Sequence, residues 1–223
     1  MKMTPDTWSA WSDYLSDVFG AEDENLAGLM DRAVKAGLPD IAVDASVGRL
    51  LLVLTRLVGA RTAVELGTLG GYSGVWIARG LADGGALYTI EPEKRHAEFA
   101  RGEFRRAGVA DKVEIIEAEA LAVLPELADR LGRASVDLVF LDAIKAEYED
   151  YLDAVIPMMR PGALVIADNA LAGGDWSIDD APGSSESRDA IDRFNRRLAD
   201  DPNFDAAGVP IREGVAIARY AGG

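Results

Sequence analysis

Two apolar runs, VFLD (139–142) and VIAD (165–168), each end in an aspartate, and Asn169 follows the second. If the runs are neighbouring parallel strands, their carboxyl ends lie close together and gather Asp142, Asp168 and Asn169. Two carboxylates and an amide oxygen, with other positions open, suit a hard divalent ion such as Mg²⁺, which keeps waters or substrate oxygens. Without a cation, repulsion between the two carboxylates would raise at least one pKa. A single strand-end aspartate could merely cap the next turn, but the set of three points to a metal. Composition narrows the chemistry in the same direction. The chain has no cysteine, which excludes disulfides, thiolate zinc sites, iron–sulfur clusters and thiol nucleophiles. It has one histidine, His96, so acid–base and metal chemistry must fall to Asp, Glu, Asn, Lys and Tyr.

A second signal is VELGTLGGYSG (64–74), where a strand gives way to a helix. Gly67, Gly70 and Gly71 let the backbone turn sharply and approach a ligand. The other reading is a tight turn with no ligand. The spacing misses the GxGxxG dinucleotide fingerprint. Glu65 stands two residues before Gly67, at the same crevice, and its charge would repel a pyrophosphate. Glu91 ends the next strand, the expected place for an acid that accepts from ribose hydroxyls. Together these acids favour a cationic, ribose-containing cofactor. S-adenosylmethionine fits that description and NAD fits it less well.

The elements that must position these residues follow from hydrophobic periodicity. Residues 6–60 read as helical: Trp8, Trp11, Leu15 and Val18 share one face, a second helix spans about Glu22 to Gly37, and a third with a wide apolar face starts near Asp44 or Ser46. From Thr62 the runs TAVELG, GALYTIE, KVEIIEA, VDLVFLD and GALVIAD alternate with helical stretches. Such alternation indicates parallel βαβ units, and continuous rather than alternating hydrophobicity fits strands buried on both faces. LAGGDWSIDDAPGSSES reads as a long loop, followed by the helix SRDAIDRFNRRLADD and two short strands. The expectation is an α/β fold in one domain, 1–223, with N-terminal helices over 1–60 and a Rossmann-like core over 61–223.

VELGTLGGYSG, TIEPE, VFLDAIKAEY and VIADN together resemble the class I S-adenosylmethionine-dependent methyltransferases, and more narrowly the metal-dependent catechol and caffeoyl-CoA O-methyltransferases. The resemblance covers residues 41–175 well. It implies a doubly wound seven-stranded sheet with its last strand antiparallel, flanked by helices. It also implies cofactor contacts at Val43, Glu65, Gly67, Thr68, Ser73, Glu91 and Ala120, with Asp142 between cofactor and metal. Ser73 would meet the methionine carboxylate, Glu91 the ribose and Ala120 the adenine, although Ala118-Glu119-Ala120 departs from the usual Gly-Asp-Ala. The metal ligands it implies are again Asp142, Asp168 and Asn169.

Lys145, three residues after Asp142, matches the lysine of the family's Asp-Ala-Asp-Lys. Like-charge repulsion from a dication and a sulfonium would favour its neutral, basic form. A solvated lysine opening the helix EYEDYL is the other reading. Ile144 stands where the family often has Asp. The expected activity is Mg²⁺-dependent methylation of a small catechol-like aromatic, with a homodimer formed through the N-terminal helices. The alternatives are a metal-independent methyltransferase, a nicotinamide-dependent oxidoreductase and a non-catalytic binding protein. His96 reads as solvent-exposed on a charged helix, Tyr148 and Tyr151 as pocket wall or sheet packing, and Trp176 as a cover for an aromatic substrate or a plain loop residue.

Lys+Arg 23 against Asp+Glu 38 leave a formal net charge of −15. So acidic a surface counts against nucleic acid and anionic membranes as partners. No apolar run approaches the roughly 20 residues that span a bilayer, and the N-terminus lacks a signal-peptide core. A cytoplasmic location is expected.

Overall fold

The computed structural model describes residues 4–173 and 176–222. Seven strands form one sheet in the order β3-β2-β1-β4-β5-β9-β8. They are β1 (Thr62–Leu66), β2 (Ala86–Ile90), β3 (Val113–Ile116), β4 (Val136–Leu141), β5 (Met159–Ala167), β8 (Phe204–Val209) and β9 (Val215–Tyr220). The first five run parallel, and β9 is antiparallel to both β5 and β8. The expected seven-stranded sheet with its last strand antiparallel is therefore present.

Alternate residues of each central strand feed two separate cores, which explains why the runs are apolar throughout. Val64, Val139 and Val165 pack with α7 (Ala120–Leu131), α8 (Tyr148–Val155) and α9 (Glu186–Asp200). Ala63, Leu138 and Ile166 pack with α4 (Ala45–Leu57), α5 (Tyr72–Gly80) and α6 (Lys94–Arg106). Strand order reverses between β1 and β4, so their carboxyl ends open the crevice where doubly wound folds bind ligands.

Several boundaries differ from expectation. The single helix read over Glu22–Gly37 is two, α2 (Glu24–Ala27) and α3 (Leu29–Lys35), broken at Gly28. The stretch EYEDYLDAVIPMMR stops as α-helix at Val155, because Pro157 cannot donate to the helix ladder. A 3₁₀ turn follows, and β5 begins at Met159, three residues earlier than expected. The loop after β5 carries a two-residue ladder between β6 (Ala172–Gly173) and β7 (Trp176–Ser177). Asp44 is the N-cap of α4, accepting from the Val47 amide at 3.0 Å. The apolar face of α1 (Pro5–Phe19) is left uncovered: Trp8, Trp11, Tyr14, Leu15, Val18 and Phe19 are all exposed.

Candidate active site

The glycine turn after β1 is forced into place by β4. Gly67 has φ +97°, and a Cβ there would stand 2.2 Å from the Asp142 carbonyl oxygen. Only glycine accommodates both the backbone conformation and the contact. Beyond the strand ends the ladder continues, with the Asp142 amide donating to Leu66 at 2.9 Å and the Asp168 amide to Leu141 at 3.0 Å. These bonds set Gly67, Asp142 and Asp168 side by side. Leu69 is held at φ +45°, unusual for a bulky side chain, and its amide donates to Glu91 Oε2 at 2.7 Å.

Around this turn lies a cavity of about 440 Å³. Of the expected cofactor residues, Val43, Gly67, Thr68, Ser73, Glu91 and Asp142 line it. Glu65 does not. It is fully buried beneath the turn, where its Oε2 accepts from Thr89 at 2.6 Å and its Oε1 has no hydrogen-bond partner of good geometry. Burial pushes its pKa up to about 7, against the pull of the Ser73 and Thr89 hydroxyls. Glu65 thus supports the floor from below instead of facing the crevice. Ala120 opens α7, is buried, and also lies outside the cavity lining.

Glu91 is fixed by three groups. Besides Leu69, its Oε1 accepts from the Glu93 amide at 3.0 Å and lies 3.3 Å from His96 Nδ1. This overturns the reading of His96 as a solvent-exposed surface residue. Its side chain is 21% exposed and it lines the cavity. α6 begins within four residues of the strand end, so its first turn folds back over the crevice. That short connection was the available signal.

At the other end, the four polar residues expected to carry the chemistry are together. Lys145 Nζ donates to Asp142 Oδ1 at 2.7 Å. Asn169 Nδ2 donates to Asp168 Oδ2 at 2.9 Å and reaches Asp142 Oδ1 at 3.3 Å. Asn169 adopts φ +62°, a conformation that asparagine tolerates better than most residues. Asp168 is 4% exposed, and its Oδ1 is buried without a hydrogen-bond partner. Burial first, and then the neighbouring Asp142 charge, hold its carboxyl well above the usual range. The upward shift was expected from repulsion alone, but desolvation is its larger cause.

Ile144, Lys145 and Trp176 form the wall beside this cluster. Tyr148 and Tyr151 do not contribute to the wall. Both are buried in the sheet–helix core, with the Tyr148 hydroxyl donating to the Leu141 carbonyl at 3.0 Å. A second groove, of about 410 Å³ between α9 and β8–β9, is lined by apolar residues apart from Asn195 and carries no charged side chain. It offers no comparable chemistry.

The model of a family described as O-methyltransferase matches residues 16–221. The chain belongs to this O-methyltransferase family. The resemblance to S-adenosylmethionine-dependent O-methyltransferases is thereby borne out. A catechol O-methyltransferase of Niastella koreensis is 35% identical over 210 residues, covering 92% of this chain and 94% of that protein. The structure of an O-methyltransferase from Bacillus cereus, solved in complex with SAH, superposes with TM-score 0.86 at 32% identity, covering 96% and 99% of the two chains. An O-methyltransferase of tomaymycin synthesis from Streptomyces achromogenes, solved with SAM, gives TM-score 0.87 at 36% identity, covering 99% and 100%. Among the described residues of this O-methyltransferase, no helix is long and apolar enough to cross a membrane.

Proposed function

We propose that this O-methyltransferase moves the methyl group of S-adenosylmethionine to a hydroxyl of a small catechol-like aromatic, with a divalent ion at Asp142, Asp168 and Asn169. The observation that carries this reading is the polar cluster at the strand ends. A buried carboxylate oxygen with no partner, beside a second carboxylate and an amide, is a donor set that a hard cation would complete. Asn169 now presents its amide nitrogen to both acids; rotation of the amide by a half-turn would present oxygen instead. When bound, such an ion would draw two neighbouring substrate oxygens and make a phenol that ordinarily ionises near pH 10 easier to deprotonate.

The chain's own residues supply the remainder. Glu91, already held by two backbone amides, turns its carboxylate toward the ribose hydroxyls. Ser73 and Val43 meet the methionine end, and Glu65 supports the glycine turn beneath them. Lys145 Nζ takes the proton from the acceptor hydroxyl. Ile144 and Trp176 flank the space beside Lys145, and their apolar surfaces favour a flat aromatic acceptor over a sugar. Little covalent work falls to the protein, so positioning and charge neutralisation account for the rate. A panel of catechols and hydroxycinnamates with labelled cofactor, run with and without Mg²⁺, tests this. Methylation confined to vicinal diols in the metal-containing arm is the expected result.

Loss of Glu91 has an expected size. Glu91→Ala removes a charge-assisted acceptor pair and should weaken S-adenosylmethionine by about tenfold to a hundredfold. It also strands the Leu69 and Glu93 amides, so the unfolding midpoint should fall as well. Calorimetry on the folded variant decides: unchanged affinity would remove Glu91 from the site.

The uncovered face of α1 supports a homodimer through the N-terminal helices. Four aromatics and two aliphatics on one exposed helix face are more apolar surface than a solvated helix ordinarily leaves open. Trp8→Glu combined with Trp11→Glu should turn a dimer into a monomer in sedimentation while the fold persists. A dimer that persists in the double variant would move the contact elsewhere.

A further inference from the structure

The segment 39–44 crosses the mouth of the cavity without regular secondary structure, and Pro39, Ile41, Ala42 and Val43 all line it. Val43 is buried in the core beside α4, but the segment makes few hydrogen bonds of its own. One comes from the turn between β8 and β9, far away in sequence, where the Arg212 guanidinium donates to the Ala42 carbonyl at 3.2 Å. The same side chain lies 3.9 Å from the Asp44 carboxylate and 3.1 Å from that of Glu213. Arg212 itself sits at φ +48°. That left-handed conformation costs a non-glycine residue of this kind energy that the surroundings must offset. The turn is in turn fastened beside the polar cluster, because the Leu171 amide donates to the Glu213 carbonyl at 2.5 Å and the Ala170 amide to Gly214 at 2.9 Å. One strained residue thus ties the backbone just after Asn169 to the strap at the mouth of the cavity.

We propose that Arg212 is a positioning residue that latches the strap 39–44 over the cofactor end of the cavity, and that its strained backbone is retained for this reach. Its consequence for binding rests on the reading of the cavity as the S-adenosylmethionine site. The latch itself rests only on the contacts above. A glycine at 212 would relieve the backbone and release the strap together, so strain and function make opposite demands on this position. Were Arg212 only a strut of the fold, removing it would lower stability. As a latch, removing it loosens the strap and leaves the fold intact.

A nitroxide attached at Ile41→Cys reads the latch directly in the ligand-free protein, since Ile41 is exposed on the strap and the chain has no other cysteine. In Arg212→Gly the label should move more freely in its paramagnetic resonance spectrum, while the Tm stays level or rises by roughly 2–4 °C. Calorimetry should show S-adenosylmethionine binding weakened roughly three- to tenfold, the size of one exposed hydrogen bond. Arg212→Lys, which keeps a cation but loses the planar fork, should fall between the two. An unchanged label spectrum in Arg212→Gly would overturn the latch whatever the cofactor does. A fall in Tm of several degrees would also overturn it, in favour of a strut. A wild-type protein that did not bind S-adenosylmethionine would refute the cavity reading, and the label spectrum would still decide the latch.

Discussion

Exhaustive chelation is expected to lower turnover of a catechol roughly 10²-fold or more, and Mg²⁺ to restore it. The expectation comes from the charges at the strand ends. Asp168 is buried, one of its oxygens has no partner, and Asp142 stands beside it, sharing Asn169 with it and paired to Lys145. Electrostatic stabilisation at such a centre is worth several kcal/mol, and each 1.36 kcal/mol is tenfold in rate. Asp168→Ala and Asn169→Ala should each reproduce the chelated phenotype. Asp142→Ala should do so too, and should also loosen the cofactor, since Asp142 lines the cavity against Gly67. Affinity for S-adenosylmethionine should hardly change on chelation, because Glu91, Ser73 and Val43 need no metal. Full activity after chelation would remove the metal and leave the metal-independent methyltransferase as the reading.

Lys145→Ala should lower kcat by about 10²–10⁴, the usual contribution of a general base, with cofactor affinity little changed. The Nζ lies 2.7 Å from Asp142 Oδ1 and 5.5 Å from the Tyr148 ring centroid, so the side chain is already held at the cavity wall. The loss should shrink as pH approaches the range near 10 where phenols ionise unaided. Lys145→Arg separates two roles. A guanidinium keeps the positive charge but cannot give up its proton, so it should not restore activity. Rescue by arginine would make Lys145 a charge for positioning instead of a base.

The two ends of this site differ in how far local sequence reveals them. Asp142, Asp168, Asn169 and Lys145 were legible because each stands at or just after an apolar run, and a buried parallel strand announces its own carboxyl end. Once β4 and β5 are neighbours, backbone pairing alone brings Asp142, Asp168 and Asn169, the three proposed oxygen ligands, together. Gly67 and Glu91 follow by the same logic at the ends of β1 and β2.

Local pattern is silent on distances and on which face of the backbone a side chain takes. Glu65 lies only two residues before Gly67, yet its side chain is buried under the start of α5 beside Gly74, where Thr89 holds it. His96 reads as one polar residue on a charged helix, and only the docking angle of α6 turns it onto Glu91. The exposed aromatic face of α1 has the same periodicity as a buried one; only the packed structure shows that nothing among the described residues covers it. Arg212 lies 170 residues from the carbonyl it holds. The strands, the glycine turn and the acids at the strand ends were determined by sequence, because each depends on backbone geometry repeated over a few residues. The burial of Glu65, the turn of His96 and the reach of Arg212 were decided by tertiary structure, because each depends on how separate elements are set against one another in space.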